Sequence, residues 1–505
     1  MDSEIQKFYR NKTVFITGGS GFLGKVIIEK LLRTTTVSRI YMMIRTKRGK
    51  SMEERFESWR KDSIFETLLS SRPDALDILT PIAGDCQEMG LGISDANLQL
   101  LKAEVQIVLH GAATVRFNEP LHVALAINTR GTHLMLQLAK EMRQLVAFVH
   151  ISTAFSNCMT CTIDEEFHPE ELNCNSEKVL QLSEQISEEL LDKLAPALSA
   201  KFPNTYTYSK ALAEDVVLRE AGNLPICIFR PGVIIATAKE PVSGWIDNLY
   251  GPIAITYGVA YGVLRLALLD TKAHCPTVPV DFCANVALSS AWKVVKESRP
   301  TIEEQCQKPP TIYNYASSPD NVLTYGDFRD LAMIHGAKYP VTKMLWYPFL
   351  HCISTIWLFP LAAFFYHTLP GHLVDLGLRV MGKKPRLVKA YEKIHKNIKA
   401  LGPFALKTWD FEMNNLNQLW RDMSPEDQKI YNFDIQKLDW NEYFNHALRG
   451  MRLYLGKETP TEDSYDVGRK LLKRFYVLHV FLQFLLCFAA GSLIWFLFGY
   501  LASFL

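Results

Sequence analysis

Over its first 230 residues the chain alternates short β-rich apolar runs with segments of helical periodicity. Six runs read as strands: Thr13–Thr17, Arg39–Ile44, Ile78–Gly84, Val105–His110, Leu145–Ile151 and Pro225–Arg230. Strands that are apolar throughout are buried on both faces, and helices between them are crossovers of a parallel sheet. The pattern predicts an α/β fold built on a doubly wound parallel sheet. A helical pattern over 51–70 reads as an insertion after the second strand. Beyond Pro231 the alternation loosens. Loops such as Gly244-Trp245-Ile246-Asp247 and Gly251-Pro252 predict a substrate lobe on the sheet's C-terminal edge, and a polar break falls around Glu303 to Pro310.

Two long apolar runs follow. Met344 to Val374 lacks Asp, Glu, Lys and Arg but contains Pro348, Pro360 and Pro370. Prolines break a straight helix, so a membrane-surface segment or part of an apolar passage is expected there, not a span. The second run, Phe475 to Leu505, is also free of those residues and follows Arg469, Lys470, Lys473 and Arg474. About 20 apolar residues cross a bilayer core as a helix, and basic flanks stay on the cytosolic side. A transmembrane helix is expected within 475–500. Between the runs, Pro385 to Gly456 reads as helical and soluble, with Ser424 as an N-cap and Pro425 at the first helical position. Trp409, Phe411, Trp420, Tyr431, Phe433 and Trp440 would give that region a core of its own.

At 505 residues the chain exceeds one compact core. Its net charge of +2 gives no basic surplus for nucleic acid. Ten cysteines without framework spacing favour a reducing compartment. Cys158-Met159-Thr160-Cys161 is a C-x-x-C with no second pair, so no metal site is expected. The N-terminus has no apolar signal-peptide core.

The candidate chemistry begins at Thr17-Gly18-Gly19-Ser20-Gly21-Phe22-Leu23-Gly24, which joins the first strand to a helix, Phe22 to Leu32. A pyrophosphate needs backbone N–H groups at close range and a helix N-terminus aimed at it, and glycines permit both. The spacing can be counted from Gly18 or from Gly19. After the second strand, where NAD-binding folds usually hold a carboxylate for the ribose 2′-hydroxyl, stand Arg45-Thr46-Lys47-Arg48. An Arg grips a 2′-phosphate that a carboxylate would repel, so Arg45, with Lys47, predicts NADPH. Asp85, after the third strand, can accept from the adenine amine. Ala112 and Ala113, after the fourth, leave room for the cofactor, and Asn128 opens or sits in the following helix. Tyr206 and Lys210 are four apart, on one helix face. A nearby ammonium would lower the tyrosine's ordinary pKa of ~10 and could hold the nicotinamide ribose. Thr153 first, and Ser152 second, offer a hydroxyl to the same substrate oxygen.

These residues stand in longer motifs: Thr17 to Lys25, His110-Gly111-Ala112-Ala113-Thr114-Val115-Arg116-Phe117, His150-Ile151-Ser152-Thr153-Ala154-Phe155, Pro203 to Glu214, Arg230-Pro231-Gly232-Val233-Ile234 and Gly244-Trp245-Ile246-Asp247-Asn248. With them the chain resembles an extended short-chain dehydrogenase/reductase, and within that superfamily an animal, alcohol-forming fatty acyl-CoA reductase. Gly382-Lys383-Lys384-Pro385 and Leu438-Asp439-Trp440 extend the likeness into the helical region. Gly232 departs from it, since the family often has Ser-Ile or Ser-Val-Ile after Arg-Pro. The resemblance implies a Rossmann-type sheet and reduction of long-chain acyl-CoA to a fatty alcohol with two NADPH. It favours the spacing from Gly18. It implies Tyr206, Lys210, Thr153 and Ser152 as catalytic residues. Thr17, Gly18, Gly21, Phe22, Leu23, Gly24, Pro231 and Val233 would join Arg45, Lys47, Asp85, Ala112, Ala113 and Asn128 around the cofactor. The expected layout is an NADP-binding reductase domain with its substrate lobe over 1–335, a hydrophobic connection over 336–384, a helical domain over 385–456 and the transmembrane helix. The chain would sit in the endoplasmic reticulum or peroxisome membrane, catalytic domain toward the cytosol, with a homo-oligomer left open. The competing readings are a membrane-anchored sterol dehydrogenase of the same superfamily and a catalytically inactive nucleotide-binding scaffold.

Overall fold

The computed structural model describes residues 3–46, 49, 51–297 and 308–502. Two compact units are present. The first comprises Met1–Ile246, Lys272–Thr324 and Lys399–Tyr443, and the second Asp247–Thr271, Tyr325–Ile398 and Phe444–Leu505.

The first unit is built on a seven-stranded parallel sheet. Its strands are β1 (Thr13–Thr17), β2 (Arg39–Ile44), β3 (Leu79–Ala83), β4 (Ile107–His110), β5 (Ala147–Ile151), β6 (Ile226–Pro231) and β7 (Thr311–Tyr315). The spatial order is β7-β6-β5-β4-β1-β2-β3. The order reverses between β1 and β4, so their C-terminal ends form the crevice where open α/β sheets bind ligands. β1, β4 and β5 are buried along their whole length, as their apolar runs require.

All six strands expected from the sequence are present, with ends that agree within two residues. β7 was not expected. Its pattern is interrupted by Asn314, a buried amide whose Nδ2 donates to the carbonyl oxygens of Ile163 (3.3 Å), Asp164 (2.8 Å) and Glu412 (3.0 Å). A polar residue whose buried NH2 group is held by backbone carbonyls looks like a break in a one-dimensional pattern. The expected break at Glu303–Pro310 lies outside the described residues through position 307. The insertion over 51–70 is two helices, not one. Met52–Arg60 starts with a Ser51/Glu54 capping box, and Asp62 then caps a turn at Ile64 before Glu66–Ser71.

The aromatic residues of the helical region do not form a separate core. Trp409 meets Phe155 edge-on at 5.5 Å, the Tyr315 hydroxyl donates to the Phe433 carbonyl (2.9 Å), and Trp440 Nε1 donates to the Asn321 carbonyl (3.4 Å). These rings are buried against the sheet-bearing unit. Their spacing revealed apolar faces but not what those faces pack on.

In the second unit, Met344 to Val374 is not a single helix. Leu266–Leu268 pairs in parallel with His351–Ile353, and a helical run follows from Phe359 to Val380 with a π-helical stretch at Phe364–Thr368. Pro360 and Pro370 lie in the first turns of its α-helical parts, where a missing N–H costs little. The last helix, Glu462–Ala502, is the one helix among the described residues long and apolar enough to cross a membrane, and its apolar window is unburied.

Candidate active site

The switch-point crevice is lined first by the glycine turn. Gly18 has φ +74°, and a Cβ there would lie 2.6 Å from the Gly111 carbonyl carbon at the end of β4. A Cβ on Gly24 would strike the Gly18 carbonyl oxygen. Gly19, in contrast, faces mainly the flexible Met42 side chain. The structure therefore favours the spacing counted from Gly18. The helix Phe22–Thr34 has Gly21 at its N-cap, no capping side chain and no acidic residue in its first turn. Its first N–H groups stay available to an anion, and the cradle has no Cβ to fill it, which fits a dinucleotide pyrophosphate. The Phe22 ring stacks on buried Trp245 at 5.4 Å.

Thr17 plays a supporting part. Its Oγ1 is 2.7 Å from His110 Nδ1 and accepts the Ala112 N–H (3.2 Å), so it pins the Ala112–Ala113 loop to β1. Burial, with Lys210 nearby, lowers the His110 pKa to about 3, and the ring is neutral. Asn128 lies on a π-helical stretch, Leu125–Arg130. It accepts from Thr114 N (2.9 Å) and donates to Ser209 Oγ (2.9 Å), tying that loop to the helix Thr205–Glu220. Arg45 and Asp85 converge at the ends of β2 and β3, with Nε 3.7 Å from Oδ2. Lys47 lies outside the described residues.

Tyr206 and Lys210 lie on the helix Thr205–Glu220, which the Asn204 side chain caps. The Tyr206 hydroxyl lies beside Thr153, and its ring stacks on Phe117 at 5.8 Å. Phe404 packs on both Phe117 (5.4 Å) and Phe155 (4.9 Å), so an aromatic wall stands beside the tyrosine. Lys210 Nζ donates to the Ile151 carbonyl at the end of β5 (2.7 Å). Burial lowers the Lys210 pKa to about 8, against the opposing pull of Glu214. Burial also pushes Tyr206 up to about 12, and the neighbouring Thr153 hydroxyl pulls the other way. The expected lowering of Tyr206 by Lys210 is thus absent in the free enzyme. Desolvation of the phenolate dominates, and the ammonium is engaged by the Ile151 carbonyl.

Ser152, the second-choice hydroxyl, is turned elsewhere. Its Oγ donates to Glu214 Oε1. Glu214 in turn holds Arg230 through Nε–Oε1 (3.0 Å) and Nη2–Oε2 (2.6 Å). Arg230 also donates to the carbonyls of Asp164 (3.0 Å) and Glu166 (2.8 Å). Thr153 is the hydroxyl that faces Tyr206.

A family model described as "Male sterility protein", for the NAD-binding part, matches residues 16–287. A second model of the same description, "Sterile", matches residues 366–458. The chain is 41% identical over 480 residues to "Fatty acyl-CoA reductase wat" of Drosophila melanogaster, covering 95% of this chain and 90% of that protein. It is 33% identical to "Fatty acyl-CoA reductase 2" of Mus musculus, covering 90% and 87%. The chain belongs to the fatty acyl-CoA reductases.

This reductase is an oxidoreductase with a nicotinamide-binding fold. That fold is shared by the crystal structure of the terminal R domain of the myxalamid PKS-NRPS pathway. The TM-score is 0.55 at 18% identity, covering 90% of this chain and 95% of that one. In this reductase Gly232 has a local cause. Its N–H donates to the Tyr315 carbonyl (2.7 Å), and a Cβ would lie 2.5 Å from the Pro276 oxygen. Pro231 ends β6 and accepts the Ala154 N–H (2.9 Å), and Val233 N donates to the Pro276 carbonyl (2.8 Å). Both residues stand next to the Thr153 strand end. Sequence reasoning missed the Glu214–Arg230 pair as a support of the site, although both residues stand inside the motifs. Their signal was two oppositely charged residues in segments otherwise apolar enough to be buried.

Proposed function

We propose that this reductase converts a long-chain fatty acyl-CoA to a primary alcohol and free CoA, through a bound aldehyde, with NADPH used twice. The observation that supports this most directly is the Tyr206–Thr153 hydroxyl pair beside Phe117 and Phe404, at the crevice where the glycine turn and Lys210 converge. When bound, NADPH supplies a hydride to the substrate carbonyl carbon. The backbone around Gly18, Gly21, Phe22, Leu23 and Gly24 would hold its pyrophosphate. Arg45 would take the 2′-phosphate, Asp85 the adenine amine, and Lys210 the nicotinamide ribose. Ala112, Ala113, Pro231 and Val233 would leave it room.

Tyr206 enters the reaction protonated, because burial holds its pKa near 12. Its hydroxyl and that of Thr153 hydrogen-bond the thioester oxygen, and the bond strengthens as negative charge develops there. Tyr206 then gives up its proton, leaving a hemithioacetal. The C–S bond of that species breaks, the hydroxyl proton leaves with the CoA thiolate, and an aldehyde remains. Once Tyr206 has regained a proton from solvent and a second NADPH is bound, the same two hydroxyls act on the aldehyde oxygen in a second reduction. The C-terminal helix would anchor the enzyme in the endoplasmic reticulum or peroxisome membrane, with Arg469 to Arg474 and the catalytic unit on the cytosolic side.

Tyr206→Phe tests the proton donor. Reduction of palmitoyl-CoA and of hexadecanal should both fall at least a hundredfold, while NADPH binding, read by fluorescence titration, stays near the parent value. Retention of most activity would refute the assignment.

A further inference from the structure

Within the second unit, the run Phe359–Val380 is inverted relative to an ordinary surface helix. The residues on its protein-facing side are Phe359, Ala363, His367, Gly371 and Asp375, four apart throughout and all buried. That side includes the polar anchors. His367 Nε2 accepts the Arg265 N–H (3.0 Å), and its Nδ1 lies 2.9 Å from His395 Nε2. Asp375 accepts three backbone N–H groups, from Arg386, Leu387 and Val388 (2.9–3.0 Å). Apart from His372 and Arg379, the outward side is apolar. Leu361, Phe365, Leu369, Leu373, Leu376 and Val380 recur every three or four residues and all are exposed, Val380 by 82%. A helix at a water surface turns its polar face out, and an exposed apolar stripe of this length marks an interaction surface.

Two further observations identify the occupant. The segment that follows, residues 383–398, carries six exposed basic side chains (Lys383, Lys384, Arg386, Lys389, Lys393 and Lys396) against one acid, Glu392. Basic residues beside an apolar helix face suit anionic lipid headgroups. The stripe is also continuous with the base of the C-terminal helix. Trp346 meets Phe475 at 5.8 Å, Tyr347 meets Tyr476 at 5.3 Å, and Phe349 bridges His479 (4.7 Å) to Tyr366 (6.2 Å) in the inverted helix. Phe475 is where the charge-free run begins, so this aromatic cluster stands where the chain would enter lipid, as interfacial Trp and Tyr do.

We infer that the helix Phe359–Val380 lies on the bilayer as a second, monotopic attachment, its Leu361–Val380 stripe in the acyl boundary and the basic segment at the headgroups. This rests on reading the C-terminal helix as the membrane anchor. The test uses the full chain in phosphatidylcholine/phosphatidylserine vesicles, with p-benzoylphenylalanine at Leu373 or, as a control, at exposed Met89. After flotation and irradiation, the adduct at each position is read by mass. The expected result is phospholipid on Leu373 and none on Met89, with the Leu373 yield falling at least twofold when phosphatidylserine is omitted. Cross-linking of Leu373 to a second copy of the chain, an equal yield at Met89, or a yield indifferent to phosphatidylserine would overturn the inference. A chain that floats with no phospholipid on Leu373 overturns it alone. A chain that does not float overturns the anchor as well.

Discussion

At the scale of single residues, the site separates two ionisable groups by burial. Tyr206 is held protonated far above neutrality, while Lys210 is brought down to about 8 from its ordinary 10.5. Between those two values the folded state binds fewer protons at Lys210 than the unfolded state. This group's contribution to stability therefore rises with pH across that window. In the proposed function cofactor binding runs the opposite way, because the ammonium is the form that would hold the ribose. NADPH affinity of the free enzyme should fall as pH rises through about 8, and Lys210→Arg, which keeps its charge, should remove that limb. A limb that is unmoved in the Arg variant would assign it to another group. In the proposed function Arg45 would carry the cofactor choice. Its side chain is half exposed and only loosely paired with Asp85. Arg45→Glu should weaken NADPH at least tenfold more than NADH in parallel titrations, and equal losses would remove Arg45 from the 2′-phosphate site.

At the scale of elements, the buried Glu214–Arg230 pair joins the catalytic helix to β6, and Ser152 joins it to the end of β5. Removing one charge of a fully buried pair strands the other, at about 3–5 kcal/mol. Glu214→Gln should lower the midpoint of thermal unfolding by several degrees. A variant as stable as the parent would show that the pair contributes little. The sequence carried the repeating elements well. β1 to β6, the glycine turn and the Tyr206–Lys210 face follow from apolar periodicity and fixed local spacing. It carried the long-range partners poorly. β7 was hidden by Asn314, whose burial depends on carbonyls about 100 and 150 residues away. Nothing local showed that Ser152 turns to Glu214, 62 residues away, and the aromatic residues from Trp409 onward gave no sign that they cover the sheet-bearing unit. Such contacts are set by packing, and no local pattern encodes them.

At the scale of the whole molecule, a nicotinamide-binding unit and a unit carrying a long apolar helix are combined in one chain. This suits a substrate whose acyl chain partitions into lipid while its CoA stays in water. The central claim is that both reductions occur at one crevice, without release of the aldehyde between them. The measurement that tests it most directly is the stoichiometry of turnover on palmitoyl-CoA with a carbonyl-trapping reagent present. The account predicts two NADPH oxidised per CoA released, hexadecanol as the product and only trace trapped aldehyde. One NADPH per CoA, with trapped hexadecanal equal to the CoA released, would contradict it.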